Sequence, residues 1–251
     1  SFKLNDAFSE KVFQRYLRNL DYNKNFFLAA DVAKFATYAN KFDEALTTGD
    51  MYPAYLIYQQ LLERRVERLT FALSLLENEF DFARKDDKFY YDREDAEWAV
   101  NTAELDEVWR QRVKYDLLNL VLADKTQAEA KEVLEKRYTR SLKRLEQTKS
   151  EDVFQTFMNA FSRSLEAHTS YLSPRNAERF QMQMNLSFEG IGASLQTEDD
   201  YTVVRGIIAG GPADKSGKLK PEDKIVGVAQ ATGDFTDVVG WRLDDVVELI
   251  K

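Results

Sequence analysis

The sequence predicts an α+β chain: a large all-α N-terminal domain, residues 1–184, followed by a small and incomplete β-rich module, residues 185–251. Two observations carry that division. Up to residue 184, apolar residues recur at three- and four-residue spacing, the period of one helix face. Beyond it, short apolar runs alternate with turns, and every glycine but Gly49 falls between Gly190 and Gly240.

The elements follow in order. Phe8, Val12, Tyr16 and Leu20 share one face of a first helix. Thr47, Thr48, Gly49 and Asp50 form a break. Tyr55, Leu62, Val66, Leu69, Leu73 and Leu76 predict one apolar face on a long helix. Residues 81–95 are polar and aromatic without a period and read as a loop. Leu134, Tyr138, Leu142 and Leu145 mark a later helix. Ser173 and Pro174 read as an N-cap followed by proline at the first helical position, opening a helix toward Met184.

Composition narrows the function classes. The 251 residues carry a formal charge of −8 and are 44% apolar, enough for cores and unlike a disordered chain. The acidic balance argues against nucleic acid as the main partner. No apolar run approaches bilayer length. The absence of cysteine excludes disulfides, thiol nucleophiles and thiolate metal sites, and leaves the compartment open. The chain begins at Ser1, which is read as processing or trimming.

The chemistry concentrates in the second module. Gly190, Ile191, Gly192 and Ala193 form a glycine-flanked turn that opens a strand, and a second strand spans 201–208. Then come Gly210, Gly211, Pro212, Ala213 and Asp214, a corner at 219–223, a strand at 224–228, and a helix with Leu243, Val246, Val247 and Ile250 on one stripe. Glycines free the turn of Cβ atoms, so several N–H groups can point one way. This order resembles a PDZ domain, which extends its sheet with an incoming peptide and holds the terminal carboxylate on backbone N–H groups.

On that resemblance, the N–H groups of Ile191, Gly192 and Ala193 are expected to capture a carboxylate, and strand 193–197 to pair with the guest. Leu243 and Val246, with Ile191, are expected to wall the pocket for the terminal side chain. Apolar termini should be preferred, because a buried charge there costs several kcal/mol. The plainer reading of the turn is a pair of hairpin or bulge glycines.

The resemblance extends to the whole chain. Leu20, Asp21 and Tyr22, the helix start at Asp31 and Val32, the run from Asp152 through His168, Thr169, Ser170, Tyr171, Leu172, Ser173, Pro174, Arg175 and Asn176, and the stretch Gly240, Trp241, Arg242, Leu243, Asp244, Asp245, Val246, Val247 resemble the tail-specific, or C-terminal processing, serine proteases of Gram-negative periplasmic type. The resemblance implies that the parent is an endopeptidase selecting substrates by their C-terminal tails. It implies a Ser-Lys dyad with lysine as base in a later domain, so this chain holds no catalytic residue and should be inactive alone. It also implies a helical domain that docks a lipoprotein adaptor and a periplasmic protein at most peripheral to the inner membrane. No cofactor and no metal are expected. The alternative is a non-enzymatic PDZ scaffold.

Two departures from the family pattern stand out. Glu166 and Ala167 occupy the place of Asp-Pro. Glu222 occupies the place of glycine at the corner, and glutamate tolerates positive φ poorly, which predicts a corner of different shape.

Other candidates reduce to plain readings. His168 is the sole histidine and reads as part of a hydrogen-bonded turn. Asp21, Asn23 and Asn25 imitate a calcium loop, but Phe26 and Val32 stand where glycine and glutamate are required. The basic residues of 131–149 read as a solvated face rather than a nucleic-acid site. The acidic loop from Asp86 to Glu97 also reads as solvated, and Asp244 and Asp245 as partners of the helix dipole alone.

Overall fold

A computed structural model describes residues 4–84, 87–185, 190–229, 233 and 235–250. The chain divides into two compact units, Ser1–Ser173 and Pro174–Lys251. The sequence pattern placed the change near residue 185; the structure assigns the intervening helix to the second unit.

The first unit holds α1 (Asp6–Leu20), α2 (Ala29–Ala36), a 3-10 turn (Ala39–Lys41), α3 (Ala45–Thr48), α4 (Tyr52–Leu75), α5 (Thr102–Leu122), α6 (Gln127–Glu146) and α7 (Ser150–Leu165). Local chemistry sets the ends. Asn5 caps α1 by accepting from the Phe8 N–H, and Asn101 caps α5 by accepting from the Glu104 N–H. Thr126 and Glu129 cap α6 reciprocally. Gly49, at φ +74°, ends α3 in the left-handed conformation.

Two apolar clusters fill this unit. One joins Phe8, Val12, Tyr16 and Leu20 to Phe42, Ile57, Phe157 and Phe161. The other joins Leu69 and Ala72 to Trp109, Leu117, Leu134 and Tyr138. The 24 residues of α4, about 36 Å at 1.5 Å per residue, serve both. Its buried stripe shares Leu69 with the predicted face, and Leu76 just past its end is also buried, but the rest differs. Ala54, Ile57, Leu61, Leu69 and Ala72 turn inward, whereas Val66 is 45% exposed. Apolar residues surround much of α4, so the packing helices choose the inward face.

Several buried polar groups find partners. The Tyr16 hydroxyl donates to the Ala54 carbonyl at 3.0 Å and the Trp109 Nε1 to the Asn25 carbonyl at 2.7 Å. Asp21 is buried, and its carboxylate accepts from the N–H groups of Asn25, Phe26 and Phe27, closing the turn after α1. Burial pushes the Asp21 pKa up, against the downward pull of those three bonds. The acidic loop is not merely solvated, as the sequence suggested. Asp87 binds Arg110 and Lys114, and Glu94 binds Arg18 and the Tyr22 hydroxyl; Asp86 lies outside the described residues. Arg110 first, then Lys114, holds the Asp87 carboxyl below the usual carboxylate range.

The second unit begins with α8 (Pro174–Asn185), then β1 (Ala193–Glu198), β2 (Tyr201–Ile207), α9 (Pro212–Ser216), β3 (Lys224–Ile225), β4 (Gly227–Val228), β5 (Thr236–Asp237) and α10 (Leu243–Ile250). One sheet has the order β1-β2-β3, antiparallel throughout; β4 and β5 pair separately. Strand β1 is therefore an edge, and α10 lies beside it.

Candidate functional site

The site assembles around the turn before β1. Gly190 and Gly192 have φ of +139° and +74°, a region costly to any residue with a Cβ. Gly192 has a second constraint. A Cβ there would stand 3.1 Å from the Gly211 Cα and 3.1 Å from the Pro212 Cδ. The turn is thus pressed backbone to backbone against Gly211 and Pro212.

Carbonyl bonds fix the turn. The Ala213 N–H donates to the Ile191 carbonyl at 2.8 Å, and the Ile208 N–H to the Gly192 carbonyl at 2.9 Å. The Gly211 N–H returns to the Ile208 carbonyl at 3.0 Å. With both carbonyls turned inward, the N–H groups are what remains. Among the described residues, neither the Ile191 nor the Gly192 N–H donates to a backbone carbonyl. The bond from Ile208 to Gly192 flanks Ala193 and Ile207, which marks these two as a non-hydrogen-bonded pair. The Ala193 N–H accordingly lies on the side of β1 away from β2. Among the described residues, three successive donors are open at the head of β1.

The sequence-predicted wall residues divide. Val246 is completely buried and belongs to the core, while Leu243 and Ile191 are half-buried. Val247 and Ile250 are also half-buried. On a 3.6-residue period these four helix positions share one face. The start of α10 is tied to the hairpin tip, where the Gly240 N–H donates to the Asp200 carbonyl at 2.6 Å.

The predicted change of shape at Glu222 is corrected. Glu222 has φ of +73°, so the corner keeps a left-handed residue despite its side chain. Its N–H donates to the Val204 carbonyl at 2.7 Å, and its carboxylate takes both 2.8 Å contacts from Arg205 Nη1. Backbone pairing, with a minor contribution from the exposed ion pair, holds a conformation that glutamate alone would avoid.

Sequence reasoning missed two supports. The packing of Gly211 and Pro212 under the turn had a trace in the Gly-Gly-Pro run, but no spacing rule placed it there. The second is Arg175 on α8, whose Nη1 donates to Asp245 at 3.0 Å. Asp245 is therefore more than a partner of the helix dipole.

The other candidates belong to the first unit. His168 is exposed in the turn after α7, where Asn159 and Gln155 of α7 accept from the Tyr171 and Ser173 N–H groups. Among the described residues no cluster of His, Asp and Glu could hold a metal, and no helix is long and apolar enough to cross a membrane.

An edge strand headed by open amides, with a helix alongside, is the arrangement of a PDZ-type module. Residues 179–251 match the PDZ domain family, and residues 1–175 match the tail-specific protease N-terminal domain family. The chain belongs to the tail-specific protease family.

It is 50% identical to the tail-specific protease of Haemophilus influenzae over 250 residues, 99% of this chain and 36% of that protein. It is 32% identical to the carboxy-terminal processing protease CtpA of Bacillus subtilis over 84 residues, 34% of this chain and 17% of that protein. The chain therefore spans little more than a third of the longer match. A solved PDZ domain of the carboxy-terminal protease from Vibrio cholerae, in complex with peptide, is 62% identical, covering 25% of this chain and 64% of that one, with a TM-score of 0.25.

Proposed function

We propose that this chain is the non-catalytic, tail-recognising part of a serine endopeptidase that selects proteins by their C-termini. The observation that supports this most is the set of open donors at Ile191, Gly192 and Ala193 on edge strand β1. A guest strand laid along β1 gains main-chain hydrogen bonds that do not depend on its sequence. Its carboxylate receives charge-assisted bonds from the turn. The half-buried Leu243 and Ile191, over Val246, offer an apolar lining to the last side chain.

In the parent, cleavage belongs to a serine activated by a lysine base, and no residue of this chain is assigned to it. The helical unit is the part to which an adaptor lipoprotein would dock, and the compartment is the periplasm, both on family resemblance.

The test is a titration of the protein against a fluorescent peptide ending in small apolar residues, followed by anisotropy. Binding should weaken at least about tenfold when the peptide is amidated, the loss of about 1.4 kcal/mol from one charge-assisted contact. Equal affinity for acid and amide would overturn the proposal.

A further inference from the structure

Helix α10 has two faces. Taking Leu243 as the origin at 100° per residue, Val246, Val247 and Ile250 fall within about 60° of it, while Glu248, Asp245 and Leu249 fall on the far side. The apolar face carries Val246, which is buried in the core of the unit. The acidic face is held by another element. Arg175, in the first turn of α8, donates from Nη1 to the Asp245 carboxylate at 3.0 Å. Its Nη2 lies 3.2 Å from the Glu248 carboxylate, close enough to pair while making no hydrogen bond. Asp245 and Glu248 are three apart, so both carboxylates present to a single guanidinium.

The surroundings strengthen this contact. Side-chain exposure is 25% for Arg175 and 21% for Asp245. Water therefore screens this pair less than a surface pair, and a fork-shaped donor is well matched to two carboxylates. A further anchor lies just before α10, through Gly240 and the hairpin tip. Without Arg175, the body of the helix loses this ionic tie to α8.

We infer that Arg175 is a positioning residue for tail recognition: it holds the rear of α10 so that the space between that helix and β1 is preset for a guest strand. This rests on the tail-binding reading above. Preorganisation of this kind raises affinity by removing an ordering cost from the binding step. It also gives α8, the first helix of the second unit, a hold on the site without touching the ligand.

The experiment uses the whole chain, the same fluorescent tail peptide, and amide hydrogen exchange on α10. Arg175→Glu should weaken the free-acid peptide about fivefold, equivalent to ~1 kcal/mol, and speed exchange in α10. Arg175→Glu with Asp245→Arg should recover most of both, and Arg175→Lys should fall between. A merely structural role predicts a change in melting temperature with peptide affinity unchanged. Wild-type affinity in Arg175→Glu, or failure of the exchanged pair to recover it, overturns the inference. If the wild-type protein fails to distinguish acid from amide, the tail reading falls and takes the affinity effect with it; unchanged exchange in Arg175→Glu separately shows that the hold on α10 is absent.

Discussion

The two units bury different kinds of side chain. The helical unit encloses rings: Trp109, Tyr16, Phe13, Phe27, Phe35, Phe42 and Phe157 are all essentially inaccessible. The β unit encloses Val203, Val204, Ala213, Val238, Val246 and Thr202, and leaves Ile208, Val226 and Trp241 more than 40% exposed. Large rings bring 150–250 Å² each and preferred pair geometries, and here they form a run from Phe8 through Phe161 and Phe157 to Tyr16. Small β-branched residues fill a thin module whose edge strand keeps its donors available. Packing strength thus sits in the scaffold, and the proposed recognition site lies in the unit with less of it, where local adjustment costs less.

The largest effect that tests this contrast is in the ring cluster. Phe157→Ala should cost the helical unit about 3–5 kcal/mol in chemical denaturation, because a fully buried ring leaves a cavity its neighbours cannot close. Tail-peptide affinity should stay near the wild-type value. Loss of affinity in step with stability would show that the two units do not separate as described.

Gly192→Ala should be the counterpart. Positive φ costs a residue with a Cβ roughly 1–2 kcal/mol, and the new methyl meets Gly211 and Pro212 at 3.1 Å. The β unit should lose about 2 kcal/mol or more. Peptide binding should fall more than about tenfold, since a shift of that turn misdirects all three donors. Unaltered binding would remove the turn from the proposed site.

A third test concerns pH within the helical unit. The folded carboxyl of Asp87 is depressed below its ordinary 3.8. Its stabilising contribution is therefore complete above that value and is lost as the pH falls through the folded pKa. The stability difference between wild type and Asp87→Asn should be constant near neutrality and shrink on acidification below about pH 4. A difference that grows in acid would reverse the assignment.

The smallest expected effect is at the corner. Glu222→Gly relieves positive φ but gives up the ion pair with Arg205, which is exposed and contributes little. A net gain of about 0.5 kcal/mol is expected from melting of the β unit. A loss above about 1 kcal/mol would mean that Arg205 contributes more than exposed pairs normally do.

The sequence by itself determined the division into a helical part and a glycine-rich β part, the first and sixth helices, and the turn at Gly190 to Ala193. Those features are local: period, caps and the conformational freedom of glycine are written into neighbouring residues. It also gave the family, through runs such as the one from His168 to Asn176. Only the tertiary structure decided which face of α4 is buried over most of its length, since a helix with apolar residues on several sides takes its orientation from the partners packed on it. Likewise, Gly211 beneath Gly192, Arg205 holding Glu222, and Arg175 behind Asp245 join residues 17 to 70 positions apart. No local rule relates such residues, because their contact is created by the path of the chain between them.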